Sequence, residues 1–92
     1  MVIITLQQII DERISFLKEQ INPENKPQLN KTFQLQIDAI RSAAADDLEK
    51  VESIILQKKT VLKDSKDVRE ADKLFAELDG LEWLQRQIAR YS

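Results

Sequence analysis

The chain has 92 residues, a net charge of −2, 42% hydrophobic and 33% charged residues, and only one Gly and two Pro. That is too apolar for a disordered chain, too evenly charged for a membrane protein and too small for more than one core, so a single domain is expected. Turn residues are too scarce for a sandwich or barrel, which needs a turn every 8 to 12 residues or so; the composition points to an all-α fold.

The start "ITLQQI" carries a helix N-terminus signature. Thr5 is placed to cap, Gln8 to reach back to it, and Ile4 and Ile9 to form a hydrophobic staple. Behind the cap, Leu6, Ile10, Ile14, Leu17 and Ile21 recur at steps of three and four, which predicts a first helix over about 6–21 with one buried stripe. "INPENKP" ends it, because the residue before Pro23 is pushed out of the helical region; Asn25 is the expected cap of the next helix, with Pro27 in its first turn.

From Leu29 through Phe33, Ile37, Ile40, Ala44, Leu48, Val51, Ile55 and Leu62 the apolar positions keep one phase. The stretch "SAAADD" does not break it, and alanine is the strongest helix former, so a second helix is predicted to run unbroken over about 26–62. The alternative is a kink near Ala45, since Asp46 with Glu49 imitates a capped helix start. "KDSKDVRE" supplies the next break, with Asp64 or Ser65 as cap and Asp67 in the first turn of a third helix over about 66–91. The stripe of that helix begins as Val68, Ala71, Leu74, Phe75 and Leu78, then drifts round to Leu81, Leu84 and Ile88. Gly80 sits at the drift and reads as a close-contact point or mild kink, with a break after Asp79 as the lesser option.

These elements predict a three-helix bundle dominated by a long antiparallel hairpin, in which helix 1 covers only the first half of helix 2. The distal end then has two helices, too few to enclose Ile54, Ile55, Val61, Val68 and Phe75, so that end is expected to meet another chain or stay partly exposed.

Chemistry is sparse. No Cys and no His exclude a thiolate nucleophile, a disulfide or the usual zinc sets, and no Gly-rich phosphate loop is present. The acidic group Asp46, Asp47, Glu49 and Glu52 lies mainly off the apolar stripe and reads as a solvated face rather than a metal centre. No catalytic residue, cofactor or metal is therefore expected. Two surfaces remain. Ala76, Gly80, Trp83 and Gln87 share one side of helix 3, with Leu84 and Tyr91 along its edge; small residues beside a tryptophan suit a closely approaching partner helix. The bland alternative turns Trp83 into the chain's own core. Off-stripe Leu35 and Leu56 are further candidates for a contact surface. Lys58, Lys59, Lys63 and Lys66 cluster near the turn before helix 3 and suit phosphates or an acidic partner, though without interleaved Arg or aromatics.

The leading expectation is a non-enzymatic helical interaction or assembly module, self-associating or docked in a larger protein complex. The alternative is a small regulator that binds nucleic acid or an acidic partner through the four lysines. Short apolar runs fit a cytoplasmic protein or a component of an assembled particle. Helical hairpins of this size recur among adaptors and phage or bacterial structural components, an analogy of fold alone.

Overall fold

The computed structural model describes residues 5–91, and those residues form four α-helices: α1 (Leu6–Gln20), α2 (Pro27–Ala43), α3 (Leu48–Asp64) and α4 (Val68–Tyr91). No strand occurs among the described residues. Helix α1 opens with the expected capping box. The Gln8 backbone N–H donates to Thr5 Oγ1 at 3.2 Å, and Gln8 Oε1 accepts from the Thr5 backbone at 2.9 Å. The staple partner Ile4 lies outside the described residues.

The loop after α1 is held by asparagines. Asn25 Nδ2 donates to the Gln20 carbonyl (2.7 Å) and to Asn30 Oδ1 (3.0 Å), and Asn30 Nδ2 donates to the Asn22 carbonyl at 2.8 Å. Asn25 thus ties the loop to α1 instead of capping α2, whose cap residue is Lys26 with no side-chain bond and whose first residue is Pro27. Proline tolerates that position because its missing N–H would have no helical partner there.

The long second helix is corrected by the structure. The segment 26–62 is two helices, α2 and α3, joined by a turn at Ala44–Asp47, so the bundle has four helices rather than three with one long hairpin. Asp47, one residue beyond the expected Asp46, makes the cap: its Oδ1 accepts from the Lys50 backbone N–H at 2.9 Å. Glu49 adds a carboxylate to the first turn, where the helix dipole favours it. Asp46 turns back, its N–H donating to the Ala43 carbonyl at 3.0 Å and its carboxylate pairing with Lys50 at 3.4 Å. Alanine propensity is worth only tenths of a kcal/mol per residue over ordinary residues, about the same order as one cap, so it does not by itself hold a helix through such a site. The preserved phase has another origin. Both α2 and α3 turn their stripes toward the same neighbour, α4, which packs against each of them.

The α3–α4 turn also differs in detail. Helix α4 begins at Val68, and Asp67 lies just before it, accepting from the Arg69 N–H at 2.9 Å. It then continues unbroken through Gly80 to Tyr91. Its drifting stripe is the signature of two packing sides. Ala76 and Gly80 lie about 160° round the helix from Leu78, and all three are buried. One side meets α3, which runs antiparallel: Lys58 pairs with Glu77 and Lys59 with Glu82, and Gln85 reaches Glu52. The other side meets α2, which runs parallel: Gln36 lies against Gly80, and the first turns of both helices line one groove. Helix α1 packs on α2 and more lightly on α4.

One core results, built on Ile10, Leu17, Ile37, Ile40, Val51, Leu81 and Leu84, each nearly or fully excluded from solvent. The molecule is a slab of 49 × 35 × 15 Å with a radius of gyration of 14.1 Å. A rounder domain of this length would have a radius near 12 Å, roughly. Flatness leaves side chains uncovered: Ile55 joins the core, whereas Val61, Val68 and Phe75 stay exposed; the two-helix end expected to expose them does not form, because the starts of α2 and α4 lie side by side there.

Two substitutions test these joints. A methyl group on Gly80 would sit 2.8 Å from the Gln36 carbonyl oxygen, a backbone atom unable to swing aside. In Gly80→Ala the overpacking cost, about 1–3 kcal/mol, is expected to exceed the ~1 kcal/mol gained in helix propensity, so urea denaturation should show a net loss. Asp47→Ala removes the α3 cap and should lower stability by about 1 kcal/mol in the same measurement.

Candidate functional site

A concavity lies where α2 and α4 begin side by side. It is an open-sided groove of about 950 Å³. Lys26, just before α2, and Pro27, Leu29, Lys31, Thr32 and Leu35 within it line one side, and Arg69, Asp72, Lys73, Phe75, Ala76 and Asp79 of α4 the other. The parallel run of the two helices creates it, because matching turns stay level and the outward side chains of each diverge from the contact at Ala76 and Gly80. Leu29 is 45% and Phe75 is 55% exposed, so the apolar part is a floor open to solvent rather than a closed pocket. A small ligand needs most of its surface enclosed, whereas an open apolar trough fits the face of a helix.

Its electrostatics differ from those of the chain as a whole. Four cationic groups, Lys26, Lys31, Arg69 and Lys73, stand against two carboxylates, Asp72 and Asp79, in a protein whose net charge is −2. None of the four cations takes part in an ion pair among the described residues; the pairs there are Lys50–Asp46, Lys58–Glu77 and Lys59–Glu82. The groove thus carries a local net positive charge.

The expected partner surface on α4 is divided by the structure. Ala76, Gly80 and Leu84 are buried within the chain, and the closely approaching helix that the small residues admit is the chain's own α2. Ala76 also reaches the groove wall. Trp83 is half-buried, packed against the core, and the Arg13 guanidinium from α1 lies over its ring at 5.3 Å and over Phe16 at 5.5 Å. Stacking of this kind contributes about 0.5–2 kcal/mol as the cation loses water. It also holds Arg13 Nε where it has no hydrogen-bond partner. Gln87 is half-buried and Tyr91 exposed, with Arg90 over the Tyr91 ring.

The lysine cluster is likewise divided. Lys58 and Lys59 are engaged by Glu77 and Glu82 of α4, leaving Lys63 and Lys66 exposed without an ion pair among the described residues. Two of the four positive charges are thus neutralised by the fold itself.

The sequence pattern puts Leu29 and Phe75 in apolar stripes, with Phe75 at an end expected to stay partly exposed, and marks no role for Lys26, Lys31, Arg69 or Lys73. These residues are about forty positions apart along the chain, and only the parallel pairing of α2 with α4 joins them. Among the described residues no group of acidic side chains is arranged to hold a metal ion, and no helix is long and apolar enough to cross a membrane. Compared with protein-family models, curated proteins and solved structures, the chain matches none.

The Trp83 environment yields an expectation. Trp83→Ala removes an aromatic packed on its own core and unstacks Arg13, so the melting curve should fall by an amount equivalent to about 2–3 kcal/mol, below the 3–5 typical of a fully buried tryptophan. Arg13→Met, which keeps the apolar stem and removes the unpartnered Nε, should cost less than about 1 kcal/mol in the same assay.

Proposed function

We propose that the protein is a non-enzymatic helical interaction and assembly module that self-associates or docks in a larger complex through its helix faces. The observation that carries the reading is the set of large apolar side chains left in water by the slab: Leu56 is 67%, Val68 73% and Phe75 55% exposed. Each such side chain forgoes roughly 1–2 kcal/mol of burial that a second surface would recover. The groove at the start of α2 and α4 adds a shaped, charged site suited to a helix. The module has no chemistry of its own; its work is to hold other helices in place.

The reading of the lysine turn as a nucleic-acid site draws less support from the geometry, since Lys58 and Lys59 are occupied by carboxylates that would repel phosphate.

Sedimentation equilibrium over a wide concentration range tests the proposal. The weight-average mass should rise above the 10.7 kDa of one chain, or a partner should co-purify from the native source in fixed ratio. A strict monomer at every concentration, with no co-purifying protein, would remove the reading.

A further inference from the structure

The groove between α2 and α4 has a complementary surface on this same chain. Helix α3 packs mainly on α4, so its outer side is open. Leu56 lies about 140° round α3 from the buried Val51, at the middle of that open side. The exposed Glu49 and Glu52 precede it on the same side, and the exposed Lys63 follows. The stripe therefore reads acidic, apolar, basic along the helix. Glu52 is held only by a 3.4 Å contact from Gln85, and Glu49 and Lys63 make no ion pair among the described residues.

Along α4 the groove reads in the opposite sense. Arg69 and Lys73, with Asp72 between them, lie toward its start with Lys26 just before α2, Phe75 and Leu29 supply the apolar floor with Lys31 of α2 as a further cation, and Asp79 closes the far end, so the start keeps a net positive charge. The spacings agree. From Glu52 to Lys63 is roughly 16 Å along a helix, and from Arg69 to Asp79 roughly 15 Å. We infer that the groove is occupied by α3 of a second copy of this chain, with Leu56 seated against Phe75 and Leu29, Glu49 and Glu52 among the cations, and Lys63 beside Asp79.

The inference rests on the assembly reading above and specifies its geometry. The two surfaces are different parts of one molecule, so the contact is head-to-tail. A bound pair still presents one free groove and one free α3, and association continues into a ring or a filament. Reversing the seated helix would bring Glu52 to Asp79 and Lys63 to Arg69, so charge selects the direction.

Complementation tests this. Leu56→Asp disables the α3 surface and Phe75→Asp the groove; both residues are more than half exposed, and both variants should keep the helical signal and melting temperature of the unaltered chain. Each alone should be monomeric in sedimentation, and an equimolar mixture should form a 1:1 dimer and nothing larger, because one intact groove meets one intact α3. Charge reversal reads the direction: Glu52→Lys should weaken association about tenfold, and Arg69→Glu added to the same chain should recover it.

An unaltered chain that associates while either Asp variant associates equally well overturns the inference and leaves the assembly reading standing. So does a mixture of variants that stays monomeric, which would place the contact elsewhere or between like surfaces. A double charge variant no stronger than Glu52→Lys alone also overturns the seating. A chain that is monomeric by itself and assembles only with a different protein overturns the second-copy occupant but not the module. A monomer with no partner defeats both.

Discussion

Helices α2 and α4 approach so closely at Gly80 that the Gln36 backbone occupies the space a side chain would need. The rest of the architecture depends on that contact. It sets α2 parallel to α4 on one side while α3 returns along another, so α4 becomes the strut on which the remaining helices lean. Parallel helices that are not adjacent in sequence require a connection that reverses the chain twice, and α3 with its two turns is that connection. Ala76, also buried, extends the small-residue side by one turn, and Leu84 fills the interior further along.

The turn at Ala44–Asp47 follows from the same constraint. A continuous helix would carry α3 away from α4 and strand its buried residues Val51 and Ile55 in water. Folding back costs a few backbone hydrogen bonds of one helical turn, and the Asp47 cap with the Asp46 reversal replaces part of them. Burial of Val51 and Ile55, worth roughly 1.5–3 kcal/mol each, exceeds what a run of alanines contributes to helix propensity. Ion pairs then register the α3–α4 hairpin: Lys58 with Glu77 and Lys59 with Glu82. Such partly exposed pairs specify alignment more than they stabilise it.

The consequence for function is a distribution of charge and apolar area that a rounder bundle would not have. Carboxylates of α4 absorb two lysines at the hairpin, while those at the start of α2 and α4 remain available beside an open apolar floor. Arg13, laid across Trp83 and Phe16, ties α1 to α4 and brings the tryptophan into the chain's own packing. The surface best suited to a helical partner is thereby moved from the Trp83 side of α4 to the groove at its start.

From the sequence by itself came the helical class, the cap at Thr5, the break at Asn22–Pro27, the break before Val68 and the special standing of Gly80, because each is written in local chemistry: a capping residue, a proline, a missing side chain. Periodicity also located much of the core, including Ile10, Leu17, Ile37, Ile40, Val51 and Leu81, but the thin two-helix end expected from a long hairpin does not form, and Val61, Val68 and Phe75 are exposed because the four helices lie in a flat slab. Tertiary structure alone decided where the second helix ends, since phase is blind to a turn whose flanking helices face one common neighbour. It alone decided which residues share the groove, because Lys26 and Arg69 meet only when α2 and α4 run parallel. It also decided that Ala76, Gly80 and Leu84 are filled from within: a side of small residues announces a close neighbour in the sequence, but only packing shows that the neighbour is the same chain's α2.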